Sequence, residues 1–176
     1  TAASTALRCV VCDEGYLTPA ANGHHCLGAS FVSGDTDTAL RDSEQQHNLR
    51  LLDAISPPLA EQWQHAALAG RAALRATTPD HLPLVGPLPD RDVFQRNYAA
   101  LRHNGRAVIG QAGHYVDGLW LFGAFGGRGL CYIPLAAELL AAQLCNTPRP
   151  LPRDLQAALA PARFVIRELV RTHAGR

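Results

Sequence analysis

The sequence has no methionine and no lysine, and only 6% of its 176 residues are aromatic. It also lacks a run of eighteen apolar residues, which excludes a membrane-spanning helix of ordinary length. The first residues, Thr1-Ala2-Ala3-Ser4, have neither the basic nor the apolar region of a secretory signal, so we expect a cytoplasmic protein with no membrane partner. Because no methionine is present as a translation start, we expect the chain to be processed or to be a piece of a longer protein.

All 16 cationic residues are arginines, and they face 15 acidic residues for a net charge of +1. Arginine binds carboxylates and phosphates in a bidentate manner and stays protonated, which suits anion or nucleic-acid binding. The abundance of alanine favours a simpler explanation, codon usage in a GC-rich genome. The charge balance therefore neither favours nor excludes a nucleic-acid partner.

Hydrophobic periodicity and turn residues predict a mixture of helices and short strands. Leu49, Leu52 and Ile55 form one apolar face of a helix that Pro57-Pro58 should end. The predicted elements are two short strands within 7–33, helices at 43–55 and 59–68, a strand with a Pro-rich turn and a second strand within 70–85, a loop at 87–90, a polar surface segment at 91–105, a strand at 118–123, and helices at 133–145 and 161–172.

A glycine-rich loop lies between the predicted strand at 118–123 and the helix that follows it. Glycines at 123, 126, 127 and 129 allow backbone N–H groups to approach a ligand, and the helix adds its positive N-terminal end. Such a place stabilises a phosphate or the negative charge on a reduced flavin ring. The alternative is a tight strand-to-helix turn. The loop is neither the G-x-G-x-x-G of dinucleotide folds nor a phosphate loop.

Arg75 stands in an apolar stretch that we interpret as a strand, next to Thr77 and Thr78. A guanidinium facing a core is costly unless it is paired, so Arg75 is either part of a structural ion pair or lines a cleft for an anionic ligand. The residues alone favour the structural pair. Asp80 and His81 are adjacent in a Pro-bounded segment that favours a surface turn.

Cysteines and histidines near the N-terminus allow a zinc hypothesis, because C-x-x-C followed by a His/Cys cluster can supply four ligands. Two valines between the first cysteines favour an extended strand instead of a metal knuckle. Reduced thiols packed in a sheet are the alternative, so no metal is expected. The residues concerned are Cys9, Cys12, His24, His25 and Cys26.

Several segments in this order resemble the C-terminal part of the bacterial bifunctional enzymes of tRNA 5-methylaminomethyl-2-thiouridine biosynthesis. The part resembled is an FAD-dependent oxidoreductase module of the D-amino-acid oxidase and glycine oxidase type. The segments that carry the resemblance are GYLTP at 15–19, HHCLGAS at 24–30, RATTPDHLPLVG at 75–86, GGRGLC at 126–131 and PLAAE at 134–138.

The resemblance implies an activity on the wobble uridine of tRNA. In this family FAD takes a hydride from the carbon beside the amine of 5-carboxymethylaminomethyl-2-thiouridine, and hydrolysis of the imine releases glyoxylate. A separate methyltransferase module then uses S-adenosyl-L-methionine. Arg75 matches the position that holds the substrate carboxylate, whereas the catalytic base, if any, and the electron acceptor stay unassigned. The residues that match the flavin-facing loop are Gly126, Gly127, Arg128, Gly129 and Leu130.

The resemblance also implies an α+β fold with an antiparallel substrate-domain sheet and the closing strand, loop and helix of an FAD domain. The N-terminal Rossmann unit of the family, with its G-x-G-x-x-G fingerprint, has no counterpart here. We therefore expect that the chain alone binds FAD weakly or not at all, has no turnover, and self-associates through exposed apolar surface. The predicted domains are part of the substrate domain at 1–105, part of the FAD domain at 106–147, and a basic extension at 148–176.

The C-terminal extension carries six arginines against two acidic residues in 149–176, a net charge of +4. It is either a contact for tRNA phosphates or a solvated helix face. Two other functions stay open: an amine oxidase of the glycine or sarcosine type, and a zinc-bearing or metal-free RNA-binding module.

Overall fold

The computed structural model describes residues 4, 6–66 and 68–174. The chain divides into an N-terminal unit, Thr1–Leu74, and a C-terminal unit, Arg75–Arg176. Among the described residues, no helix combines the length and the apolar composition needed to cross a bilayer. The domain boundaries at 105 and 147, which rest on the resemblance to the family, stay predictions. Thr1, Ala2, Ala3 and Arg176, which entered the predictions above, lie outside the described residues.

The N-terminal unit combines a small sheet with two helices. Three antiparallel strands pair in the order β1-β2-β3, one strand more than the sequence predicted. Pro57 ends the first helix and also begins the second, because its fixed φ suits a first helical position. The elements are β1 (Val11–Cys12), β2 (Tyr16–Leu17), β3 (Leu27–Gly28), α1 (Asp42–Ile55) and α2 (Pro57–Trp63).

The core of the N-terminal unit forms where α1 meets the sheet. Leu17 of β2 is 1% exposed and Leu52 of α1 is fully buried, with Leu51 beside it. The predicted helix at 43–55 is therefore confirmed with its apolar face inward. The predicted helix at 59–68 is wrong in its bounds, since α2 ends at Trp63; Ala67 of that prediction lies outside the described residues.

The C-terminal unit contains a two-stranded antiparallel sheet and four α-helices among the described residues. Its elements are β4 (Leu84–Pro89), α3 (Arg91–Asn97), a 3₁₀ helix (Ala99–Arg102), β5 (Tyr115–Gly123), a second 3₁₀ helix (Gly126–Arg128), α4 (Gly129–Leu144), α5 (Arg153–Leu159) and α6 (Ala162–Ala174). Small antiparallel sheets mixed with helices agree with the α+β class, whereas the missing Rossmann unit stays a prediction.

Two apolar clusters form the core of the C-terminal unit. In the first, Val85 of β4 packs against Ala136 and Leu139 of α4. In the second, Phe94 of α3 packs against Ala162 and Val165 of α6. The segment 91–105 was predicted to be a polar surface, and this is wrong. It forms α3 and a 3₁₀ helix, Phe94 and Leu101 are buried at 1% and 6% exposure, and Phe94 packs against α6.

Three further predictions about this unit are corrected. The loop predicted at 87–90 largely belongs to β4. Proline has no backbone N–H to donate, but β4 pairs with β5 on one side, so a strand at the edge of the sheet tolerates its two prolines. Arg75 lies in no strand, since residues 70–83 form no strand ladder. The helix predicted at 133–145 begins at Gly129, so Pro134 lies inside it. Helix α5 was not predicted.

Candidate functional site

One end of the β4–β5 pair brings two distant segments together. Leu84, the first residue of β4, pairs with Gly123, the last residue of β5. The segment that leads into β4 and the glycine loop that leaves β5 therefore emerge at the same end of the sheet. The backbone N–H of Gly126 donates a hydrogen bond of 3.3 Å to the carbonyl of Ala76.

Arg75 and the glycine loop, the two parts of the predicted site, are neighbours in the structure. A Cβ atom on Gly127 would lie 3.4 Å from Nη1 of Arg75, and one on Gly126 would lie 3.5 Å from Cγ2 of Thr77. Gly126 also has a φ of +58°, which side-chain-bearing residues rarely adopt. The positive φ explains glycine at 126, whereas a Cβ atom at 127 would come into ordinary van der Waals contact with the guanidinium.

Helix α4 directs its N-terminal end at this loop. It is 16 residues long, and among the described residues no side chain caps its first turn and no acidic residue stands there. Its first N–H groups and the positive end of its dipole therefore remain available to an anionic ligand. Phe125 holds the loop down, because it packs on the Val85 cluster and meets Phe122 edge-on at 4.9 Å between ring centroids.

Leu130, one of the predicted flavin-facing residues, is 95% exposed on the first turn of α4. Gly127 and Arg128 are exposed beside it. The glycine loop thus presents open backbone and an uncovered apolar side chain, which fits the edge of a planar, partly anionic group better than a buried structural turn. The structure assigns no catalytic acid or base to this place.

The turn that follows Arg75 is held by an ion pair that sequence reasoning missed. Arg163 of α6 donates from Nε and Nη2 to the two oxygens of Asp80, at 2.9 and 3.0 Å. It also donates to the carbonyl of Leu82 at 2.8 Å. The surface-turn prediction is wrong for Asp80: its side chain is 19% exposed and that of Arg163 only 5%.

The electrostatics of Asp80 follow from these contacts. The hydrogen bonds from Arg163, and a further one from Arg167, hold the pKa of the Asp80 carboxyl far below its usual value, although burial opposes this effect. Thr78 is buried and donates its hydroxyl to the carbonyl of Leu82 at 2.6 Å. The segment between Arg75 and β4 is therefore fastened at both ends, by the glycine loop and by α6.

The basic C-terminal segment is partly explained by the same contacts. Arg163 and Arg167 pair with Asp80, and Glu168 pairs with Arg91 at 2.8 Å. The segment forms helices α5 and α6, and α6 packs on α3 through a buried face. The segment therefore packs within the C-terminal unit, and the domain boundary at 147 stays a prediction.

The Cys/His cluster of the N-terminal unit does not form a metal site in the described part of the chain, where no three suitable ligands come together. The Nδ1 atom of His25 lies 2.8 Å from the carbonyl of Thr18, and its ring packs against Trp63 at 5.2 Å. Cys9, Cys12 and Cys26 are free thiols and are exposed, so the alternative of thiols packed in a sheet is wrong as well.

The family model described as "FAD dependent oxidoreductase" matches residues 2–143. The chain belongs to this family of FAD-dependent oxidoreductases. The family is described by its dependence on FAD, a cofactor that carries negative charge when it is reduced.

Curated relatives of this FAD-dependent oxidoreductase are named "tRNA 5-methylaminomethyl-2-thiouridine biosynthesis bifunctional protein MnmC". The chain is 48% identical to the one from Pseudomonas syringae pv. tomato over 97% of this chain and 27% of the relative. It is 47% identical to the one from Pseudomonas paraeruginosa over 99% of this chain and 28% of the relative. The predicted resemblance is confirmed, and the chain spans about a quarter of the length of these relatives.

Proposed function

We propose that the chain supplies the substrate-binding arginine and a flavin-facing loop to an enzyme that acts on 5-carboxymethylaminomethyl-2-thiouridine in tRNA. The enzyme removes the carboxymethyl group by oxidation and releases glyoxylate. The observation that carries this proposal is the approach of Arg75 to Gly127 in a member of the FAD-dependent oxidoreductase family. The names of the relatives support the choice of tRNA as substrate.

Arg75 binds the carboxylate of the substrate. Arg75 is exposed, and a guanidinium carries its donors in a planar fork that matches the two oxygens of a carboxylate. A carboxylate held there stands beside the glycine loop, so the carbon between carboxylate and amine is kept on the flavin side of the site. Orientation of this kind lowers the barrier because the reacting groups need not find each other by diffusion.

The residues present fit FAD in this place. The cofactor, when bound, supplies the two-electron acceptor for oxidation of the carbon–nitrogen bond. The N–H groups at the N-terminal end of α4 would stabilise its negative charge, as preorganised donors do where charge develops, whereas the N–H groups of Gly126 and Arg128 already donate to the carbonyls of Ala76 and Phe125. The residues that would hold it are Gly126, Gly127, Arg128, Gly129 and Leu130.

Exposed apolar residues on β5 support the proposal that another part of the enzyme packs against the C-terminal unit. Val116, Leu119 and Phe122 are 40%, 46% and 39% exposed, although they stand on a strand that pairs with β4. Isolated apolar residues are common on surfaces, but several exposed ones concentrated on one short strand indicate a packing surface. We assign this surface to the Rossmann part that carries the G-x-G-x-x-G fingerprint, and the methyltransferase activity to another module outside this chain.

The test is a chimera in which this chain replaces the matching segment of the Pseudomonas syringae relative. Arg75→Ala in the chimera should raise KM for tRNA carrying the carboxymethylaminomethyl group about ten- to hundredfold, because a charge-assisted bidentate contact is lost. Glyoxylate release is the readout, Arg75→Lys should recover part of the affinity, and Arg71→Ala, another exposed arginine, is the matched control.

Two outcomes would contradict the proposal. An unchanged KM in Arg75→Ala would return Arg75 to a structural role. Faster glyoxylate release from free glycine or sarcosine than from the modified tRNA would favour the amine oxidase of the glycine or sarcosine type, for which the same arginine and loop would serve.

A further inference from the structure

A groove in the C-terminal unit lies away from the glycine loop, between α6 and the segment formed by α3 and the first 3₁₀ helix. Its volume is about 770 Å³, and Arg102, Arg167, Arg171 and Phe164 line it together with Asp80 and Glu168. A second depression of about 470 Å³ adjoins it, because Gln95 and Arg102 line both. The second depression adds Arg96.

Positive charge is in excess along this path. Six arginines line the two depressions or pair with residues that do, against three carboxylates. Both carboxylates of the larger groove are already neutralised, Asp80 by Arg163 and Arg167, and Glu168 by Arg91. Arg96, Arg102 and Arg171 are exposed and are in no ion pair with any described residue, and Asp92 shares the second depression with the first two.

Helix α6 arranges its arginines in a row. Arg163, Arg167 and Arg171 are four residues apart and therefore share one face of the helix. The first two lie over the ring of Phe164, with guanidinium carbons 4.4 and 5.7 Å from its centroid. These contacts and the Asp80 pair hold the inner part of the row in place, and Arg171 continues it into the groove.

The spacing of the cations distinguishes between kinds of anion. A single phosphate would call for arginines that converge on one point, whereas here they follow two adjoining depressions from Arg96 through Arg102 to Arg171. A polymer with regularly spaced phosphates fits such a path, and single-stranded RNA also offers bases that stack on guanidinium planes and aromatic rings.

The geometry points to this groove as a binding surface for the sugar-phosphate backbone of tRNA, separate from the place that holds the substrate carboxylate. The inference rests on the proposed function in that it takes tRNA as the partner. Arg96, Arg102 and Arg171 contact phosphates, and Arg163 and Arg167 keep the wall of the groove in shape. Binding here is independent of the tRNA's modification state.

The test measures binding of fluorescently labelled, unmodified tRNA to the full chain by anisotropy, over a series of salt concentrations. The double variant Arg102→Ala/Arg171→Ala should bind about tenfold or more weakly at low salt. Its slope of log K against log salt should be smaller by about 1.5 to 2, because two phosphate contacts are lost. The matched control is Arg50→Ala/Arg153→Ala, which removes the same charge from exposed arginines outside the groove.

Four results would overturn the inference: no tRNA binding by the chain at low salt, unchanged affinity and slope in the groove variant, an equal loss in the control variant, or displacement of tRNA by micromolar inorganic phosphate. Circular dichroism confirms that each variant is folded. The assay involves no flavin. If the chimera oxidises no amine while the chain binds tRNA normally, the proposed function alone is contradicted. If the chimera oxidises its substrate normally while the groove variant binds tRNA as well as the unaltered chain, the groove alone is contradicted.

Discussion

Each unit of the molecule contains one cluster of arginine and aspartate, and the two clusters are built in opposite ways. In the N-terminal unit Arg41 pairs with Asp35 and Asp37, at 2.6 and 2.9 Å, within a short exposed stretch of chain. In the C-terminal unit Asp80 pairs with Arg163 and Arg167 of α6.

The difference lies in burial and in separation along the chain. The side chain of Arg163 is 5% exposed, whereas that of Arg41 is 36% exposed. The loss of a partner costs more free energy for a buried charge than for an exposed one, because water cannot solvate the buried charge in place of the partner. The Asp80 cluster should therefore determine stability and the position of the Arg75 segment, while the Arg41 cluster should only order a surface loop.

The largest effect is expected for Asp80→Asn, which keeps the size and the hydrogen-bond acceptor but removes the charge. The buried guanidinium of Arg163 then donates only to a neutral amide oxygen and to backbone carbonyls, with no counter-charge from Asp80, and the free energy of unfolding should fall by about 3 kcal/mol. Urea unfolding of the full chain measures it, with Asp117→Asn on exposed β5 as the control. A loss close to that of the control would mean that the carbonyls of Leu82, Leu159 and Ala160 suffice to satisfy Arg163.

The pH dependence sharpens the comparison with a smaller effect. Because the pKa of Asp80 is lowered in the folded chain, its contribution is fully present above the carboxyl's unfolded pKa of about 3.9 and is lost as pH falls toward the folded value. The free energy of unfolding should therefore fall more steeply below about pH 5 in the unaltered chain than in Asp80→Asn.

Urea midpoints at pH 7, 5, 4 and 3 test this expectation. Subtraction of the Asp80→Asn curve removes the contributions of Asp35 and Asp37, whose pKa values are also lowered, by hydrogen bonds from Arg41 and from nearby backbone N–H groups. Parallel curves for the two proteins would show that Asp80 gives up its proton equally easily in the folded and unfolded chain, against the ion-pair geometry.

What the sequence predicted correctly was local. Helix α1 follows from apolar spacing and the proline pair after it, and β5 with its glycine loop follows from a short apolar run beside clustered glycines. What it missed was long-range. Asp80 and Arg163 are 83 residues apart, and no local pattern marks either one as the partner of the other.

The approach of Arg75 to Gly127 is also long-range, and residue patterns alone favoured a structural ion pair for Arg75. Only the resemblance to a family placed both in one site, and the β4–β5 register then supplied the physical reason for their proximity. The polar composition of 91–105 led to a wrong prediction for a similar reason, because a few apolar residues, Phe94, Tyr98 and Leu101, pack the segment although charged residues surround them.

The smallest effect is expected for Arg41→Ala. Asp35 and Asp37 also accept hydrogen bonds from the backbone N–H groups of Asp37 and Ala39, at 2.9 Å each, and these contacts survive the substitution. The thermal midpoint should move by less than about 2 °C, because exposed ion pairs contribute little. In 1 M NaCl the difference from the unaltered chain should become smaller, because salt weakens exposed ion pairs. Arg50→Ala is the matched control, and a shift as large as that of Asp80→Asn would mean that burial is not what separates the two clusters.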